Sequence, residues 1–246
     1  MKHNELTDNQ KYRILYKDLL RSCSYITERN NRMLIKQAFI EVLRHFGNAT
    51  NNQGEFQLAH AVAVARITAD DMGLDTNSII SALLQQMPVT TPQQSEALKK
   101  RFGTDTFNII RDLQLITGIR MDKITIMPEN FIQLLLSISG DIRVLLIKLA
   151  DRINLMRNIG LLSTVDQKQV STETQNLYSP LAHRLGLYKV KAELDDLAMQ
   201  HTMPEVYNSI KKKIEDTAKE QKKYFEEFII PIRKSLQAAG MQFEIK

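Results

Sequence analysis

The sequence predicts an all-α fold, and three observations carry that prediction. Glycine and proline are scarce, 9 and 6 in 246 residues, so few breakers interrupt the chain. Apolar residues recur at helical spacing through long segments. The alternation of a strand is found at the C-terminal end, in MQFEIK, where Met241, Phe243 and Ile245 fall on one side.

The elements follow in order. Helices are expected over 9–23 and 30–46, then a polar loop over 47–56 (GNATNNQGEF). The next helix covers 58–72 and closes on Gly73 as a C-cap. A buried helix over 76–87 places Ile79, Ile80, Leu83, Leu84 and Met87 on one face, carries Gln85 and Gln86 in its last turn, and stops at Pro88. Helices over 93–102 and 104–116 follow. The segment 118–129 (GIRMDKITIMPE) breaks the period and reads as a mobile connection. Apolar helices over 130–139 and 142–156 meet at Gly140. A long helix over 166–185 ends at Gly186, and a shorter one over 188–200 carries Glu193, Asp195 and Asp196. The last helix starts near Pro204, with Pro231 expected to kink or split it. A lone terminal strand has no sheet to join, so the expectation is that the chain ends just inside a second domain.

Composition bounds the function classes. Apolar content of 43% and charged content of 25% are ordinary for a globular protein. The net charge of +5 is spread over scattered residues, with no basic run longer than Lys211–Lys213, which argues against direct nucleic-acid binding. One cysteine, Cys23, allows no disulfide framework and no cysteine-based zinc site within the chain, and points to a reducing cytosol. The N-terminal residues lack the apolar core of a signal peptide, and the longest apolar run, AVAVA, is too short to span a bilayer.

Few residues carry chemistry by pattern alone. Of the five histidines, His3, His45, His60, His183 and His201, none is followed by Asp, Glu or His, and no two sit at i, i+4. There is no GxxxxGK[ST] loop and no GxSxG elbow. Two segments say more. IRVLLIKLADRINLMRN places Lys148, Asp151, Arg152 and Arg157 in or beside an apolar helix, where an Asp must be paired or metal-bound. LYSPLAHRLGLYKVKAEL places His183 and Arg184 on a helix with Leu181 and Leu185, where packing or hydrogen bonding accounts for the histidine.

These two segments together resemble the N-terminal hydrolase domain of the RelA/SpoT homologue family, the enzymes that make and degrade (p)ppGpp. DIRVLLIKLADR (141–152) and YSPLAHRLGLYKVKAELDDLA (178–198) are similar nearly word for word, while ENF (129–131) and RFGTDTFNII (101–110) fit in place; the resemblance extends over about 17–246. It implies an HD-type helical domain that, in active members, holds a divalent metal, typically Mn2+. The implied ligands are a histidine before HPxxVA, an adjacent His-Asp pair, and the Asp of LADR. Here LAHAVAVA supplies His60, with Ala61 in place of the proline, and LADR supplies Asp151.

The remaining positions depart from the family. Its LLHDVxEDT stands here as LLQQMPVTT, so the His-Asp pair falls on Gln85 and Gln86 and the catalytic Glu-Asp pair on Val89 and Thr90. Neutral amides are poor ligands for a hard cation. Without metal there is no lowered water pKa, and without the acidic pair no general base. The implied nucleotide contacts are thinned as well: Asn51 and Asn52 replace basic residues, and Leu155 replaces an amide, leaving Arg152 and Arg157.

The resemblance therefore implies a degenerate HD hydrolase-like domain over 1–200, a helical connector over 201–240, and the start of a synthetase domain at 241–246. The expectation is a catalytically inactive regulatory domain of a (p)ppGpp synthetase, a GTP pyrophosphokinase of the stringent response. The rivals are a non-catalytic module that senses (p)ppGpp or GDP, and a 3′-pyrophosphohydrolase with altered metal chemistry. No cofactor is expected in this segment, and Mg2+ is expected for the synthetase domain of the parent chain. Expected partners are that synthetase domain and (p)ppGpp or GDP; ribosome contact belongs to regions beyond this segment, and neither membrane nor nucleic acid is expected. The expected location is cytoplasmic.

Overall fold

A computed structural model describes residues 8–47, 49, 56–118, 133, 135, 137 and 139–238. They divide into two units between Ala198 and Met199. The first contains α1 (Asp8–Ser22), α2 (Arg29–Phe46), α3 (Gln57–Asp70), α4 (Thr76–Leu84), α5 (Pro92–Phe102), α6 (Thr104–Thr117), α7 (Ile142–Arg157), α8 (Thr164–Glu173), α9 (Ser179–Arg184) and most of α10 (Tyr188–Thr202). The second contains the end of α10 and α11 (Pro204–Ala238). No strand occurs among the described residues, so the all-α expectation holds.

The first unit is built around α3, which packs against α1, α2, α4 and α7. A helix touched from so many sides must be apolar nearly all round. Leu58, Ala61, Val62, Val64, Ala65, Ile67 and Ala69 are all buried, and the alanines let neighbouring helices approach closely. In α4, every residue from Ser78 to Leu84 is buried. The inner face of α7 adds Val144, Leu145, Ile147, Leu149, Ala150, Ile153 and Met156.

Helix ends follow the local chemistry. Asp75 caps α4 by accepting from the Ser78 amide at 3.0 Å. Thr91 and Gln94 form a capping box at the start of α5, with Pro92 in the first turn. Asp141 caps α7 by accepting from the Arg143 amide at 2.9 Å. After α3 the chain reverses at Gly73, whose φ of +62° favours glycine. Arg143 joins the N-termini of α4, α6 and α7. Its guanidinium reaches Asp75 at 2.9 Å, Asp105 at 2.9 Å and Asp141 at 2.7 Å. It holds the Asp105 and Asp141 carboxyls below the usual range, chiefly by direct hydrogen bonds.

Three expectations need correction. The helix over 76–87 ends at Leu84, leaving Gln85 as its C-cap and Gln86 in the following turn. Met87 bonds back to the Leu84 carbonyl at 3.0 Å, and Pro88 disfavours helical geometry in the residue before it. The helix over 166–185 is three pieces: α8, a π-helical turn at Thr174–Tyr178, and α9. Pro180 has no amide hydrogen for an unbroken α-helix, and the π turn absorbs the mismatch. Of the kink or split expected at Pro231, the split does not occur: α11 is one element through Pro231, which is exposed, so water can serve the carbonyl that loses its partner.

Some expectations lie outside the described residues: the strand over 241–246, most of the loop over 47–56 with Asn51 and Asn52, and all of the connection 118–129 except Gly118. Of the helix over 130–139, Gln133, Leu135 and Ser137 are described as helical.

Candidate functional site

Five segments of the first unit frame a cleft of about 650 Å3. The first turn of α3 supplies Gln57 and His60, and the turn after α4 supplies Gln85, Gln86, Met87 and Pro88. The end of α6 adds Gln114 and Thr117, α7 adds Lys148, Asp151, Arg152 and Leu155, and the π turn adds Tyr178. The α7 set follows from helical spacing: 148, 151, 152 and 155 are i, i+3, i+4 and i+7, one face of a helix.

His60 is buried and fully engaged. The Asn154 amide Nδ2 lies 2.9 Å from His60 Nδ1, and Asp151 Oδ1 lies 2.9 Å from His60 Nε2. Asn158 donates to Asn154 Oδ1 at 3.1 Å, which fixes the Asn154 amide with its NH2 toward the imidazole. An NH2 group can only donate, so His60 Nδ1 accepts and its proton sits on Nε2, aimed at Asp151.

The second Asp151 oxygen accepts from Lys148 Nζ at 2.9 Å, and Lys148 also reaches Thr117 Oγ1 at 3.3 Å. Burial alone would raise the Asp151 carboxyl pKa, but the Lys148 ammonium and the His60 bond outweigh it and hold the group well below the usual range. Burial alone would lower Lys148, and Asp151 reverses that shift, so the pair stays charged. Arg152 is neutralised behind the cleft by Glu173 at 3.0 Å, and its guanidinium lies 3.8 Å over the Tyr178 ring.

The glutamines behave differently from one another. Gln114 Nε2 donates to the Met87 carbonyl at 2.7 Å and to the Gln85 carbonyl at 3.4 Å, pinning the turn that carries the cleft's edge. Gln86 is exposed. Gln85 is 8% exposed, and its side-chain amide makes no hydrogen bond to the protein.

The donor set does not fit a divalent cation. Both His60 nitrogens and both Asp151 oxygens are engaged within the protein, an ammonium sits 2.9 Å from the carboxylate, and the glutamines lining the cleft, Gln57, Gln85, Gln86 and Gln114, are uncharged amides. Among the described residues, no three His, Cys, Asp or Glu side chains converge as such a site requires.

Other singled-out residues lie elsewhere. Arg157 does not reach the cleft; it pairs with Glu193 at 2.6 Å and Asp71 at 3.3 Å beside a smaller pocket. Val89 packs on the core, and Thr90 is exposed and bonded to Gln94. His183 is exposed and meets the Tyr188 ring edge-on at 5.8 Å, the packing role expected of it. Sequence reading passed over Gln57, Gln114, Thr117, Asn154 and Tyr178. Only the helical offset of Asn154 from Asp151 offered a signal.

The fold and this cleft define a class, and comparison with known proteins agrees. The HD domain family matches residues 38–188, and the chain belongs to it. Within that class it is homologous to the SpoT/RelA enzymes of (p)ppGpp metabolism. It is 31% identical over 213 residues to a guanosine-3′,5′-bis(diphosphate) 3′-pyrophosphohydrolase of Aquifex aeolicus, covering 86% of this chain and 30% of the relative. It is 32% identical over 208 residues to the bifunctional (p)ppGpp synthase/hydrolase SpoT of Escherichia coli K12, covering 84% and 30%. A GTP pyrophosphokinase of Myxococcus xanthus is 30% identical over 216 residues, covering 86% and 28%. The chain thus spans about 30% of the length of these relatives. No helix among the described residues is long and apolar enough to cross a membrane.

Proposed function

We propose that this chain is a catalytically silent, hydrolase-like regulatory domain of a (p)ppGpp synthetase. The observation that carries the reading is the closed set His60–Asp151–Lys148–Asn154. The two metal ligands that the resemblance leaves in this chain are bonded to each other and to the protein, while Gln85 and Gln86 stand where the His-Asp pair is implied. Pyrophosphate release needs an activated water, and among the described residues the one acidic side chain lining the cleft is Asp151, already bonded to His60 and Lys148, while Val89 packs on the core and Thr90 bonds to Gln94. The parent chain, in this reading, is a GTP pyrophosphokinase whose Mg2+ and ATP chemistry belongs to a separate synthetase domain. That domain is this one's partner in cis, and guanine nucleotides are its ligands.

The test is a ppGpp hydrolysis assay with and without Mn2+. The wild-type chain is expected to release no pyrophosphate above background. A quadruple variant, Gln85→His, Gln86→Asp, Val89→Glu and Thr90→Asp, is the gain-of-function arm. Robust Mn2+-dependent turnover by the wild type would favour an enzyme with altered metal chemistry.

A further inference from the structure

The last helix carries a surface that the hydrolase-like unit does not account for. Among the described residues, 8 of the 17 large apolar side chains left exposed belong to α11, so apolar exposure is concentrated on one element. Single exposed apolar residues need no explanation, whereas a regular stripe of them marks a contact. Val206, Ile210 and Ile214 in the first half of α11 and Phe225, Phe228 and Ile232 in the second share one helix face. Ile214, Phe225 and Phe228 are each more than half exposed.

The spacing of the stripe tells what can cover it. The face runs through positions 206, 210, 214, 217, 221, 225, 228, 232 and 236, in steps of four, four and three. That is an 11-residue repeat, which keeps the stripe on one side of a nearly straight helix. The series of steps is the same read from either end, with Gln221 at its middle. Laid antiparallel on a second copy about that centre, α11 sets Val206 against Leu236, Ile210 against Ile232 and Ile214 against Phe228. Gln221 then meets Gln221 of the copy across the two-fold axis. A carboxamide carries both a donor and an acceptor, so two of them related by a two-fold satisfy each other. A polar residue at one such place in an apolar seam fixes the register. The charges select the same direction. A parallel pair would lay the Lys211–Lys213 runs side by side, whereas the antiparallel pair sets Lys213 within one turn of Glu227 of the copy.

We infer that α11 is a homodimerisation helix, pairing antiparallel with α11 of a second copy of this chain about Gln221. An isologous contact needs a patch that complements itself, and this stripe does so in spacing, in its central amide and in charge. From Val206 to Leu236 the stripe is about 45 Å long at 1.5 Å per residue. At a helix width of about 10 Å that gives a contact at the small end of specific interfaces, so the dimer forms with a dissociation constant in the micromolar range. The inference does not depend on whether the cleft of the first unit hydrolyses ppGpp.

The test is sedimentation velocity of the 246-residue chain over about 1–200 μM, a range that spans the expected dissociation constant. The wild type is expected to shift from monomer to dimer. Ile214→Lys and Phe228→Glu alone should each weaken the dimer by about tenfold or more, since each places a charge in the apolar seam. An equimolar mixture of the two variants should recover it, because the antiparallel register sets positions 214 and 228 against each other with opposite charges. Direction is read separately by oxidation with diamide, as the native Cys23 is buried. Gln221→Cys is expected to form a cross-linked dimer and Ile210→Cys is not, since the two copies of position 210 lie about 33 Å apart along the antiparallel pair. A monomer throughout the concentration range would overturn the inference; if that monomer protects the stripe from hydrogen exchange, the cover is another segment of the same chain. A dimer that withstands both substitutions, no recovery in the mixture, or cross-linking through position 210 as readily as through 221 would overturn it as well.

Discussion

Replacing Lys148 by Met tests whether the charge arrangement in the cleft is what holds its floor together. Methionine keeps most of the apolar stem and removes the ammonium that lies 2.9 Å from Asp151. At an effective dielectric constant of about 20, a unit pair at that separation is worth about 6 kcal/mol before desolvation. Breaking a buried pair by deleting one partner typically costs about 3–5 kcal/mol. The Asp151 side chain keeps 26% of its exposure and retains the bond from His60, so the expected loss is smaller, about 2–3 kcal/mol. For a chain of this size that lowers the melting temperature by about 5–10 °C. The assay is urea unfolding followed by far-UV circular dichroism, with Asp151→Asn and the double variant completing a cycle. The double variant is expected to regain at least half of the Lys148→Met loss, because the neutral amide no longer needs a counter-charge. Folding holds the Asp151 pKa below its unfolded value, so the pair's contribution is present above the ordinary carboxylate range. It fades as pH falls through the lowered folded value. Lys148→Met should remove that acid-sensitive part. A Lys148→Met stability within about 0.5 kcal/mol of wild type would refute the argument.

Arg143→Ala should cost about 1–2 kcal/mol in urea unfolding at neutral pH, because three carboxylates at the starts of α4, α6 and α7 lose their shared cation. Asp105 and Asp141 have lowered pKa values in the folded state, so their contribution is lost as pH falls below about 4, and the Arg143→Ala penalty should shrink at pH 3. Gln85→Leu should raise stability by about 0.5–1 kcal/mol in the absence of nucleoside, since it deletes an unpartnered buried amide; a clear loss of stability would show that the amide has a protein partner. Elemental analysis after dialysis should find far less than about one Mn2+ per wild-type chain, and the Gln85→His, Gln86→Asp variant should gain Mn2+ before it gains turnover.

Much of the helical layout was legible because it rests on local chemistry. The period of apolar residues, Gly73 at a left-handed turn and Pro204 at a helix start each act within a few residues. The errors were also local, but they turned on competition between signals. Pro180 sits inside a run that is otherwise good helix, and nothing in the one-dimensional pattern says that a π turn will take up the mismatch. Pro231 was expected to kink or split its helix, and the split does not occur, because an exposed helix can lose one backbone bond and continue. At the site, Lys148, Asp151, Arg152 and Leu155 were legible as one face of one helix. Their partners were not, because Thr117, Glu173 and Tyr178 meet them through tertiary packing. Arg157 shows the opposite failure. It shares the helix with Asp151 but is six residues on, and that offset turns it away toward Glu193 and Asp71.

The same packing bears on how the fold carries a buried histidine and a carboxylate at its centre. A histidine and an aspartate on the first turn of α3 and the middle of α7 are costly inside a core unless something satisfies them. Here Asn154 and Lys148 satisfy them from α7 itself, at i+3 and i−3 from Asp151, so the support arrives with the helix that carries the carboxylate. These bonds lie where α3 and α7 pack against each other at the centre of the unit. Gln85 is the exception. It alone among the residues discussed here lines the cleft with a buried amide that has no protein partner, and its turn is pinned in place by Gln114 rather than free to move the amide to water.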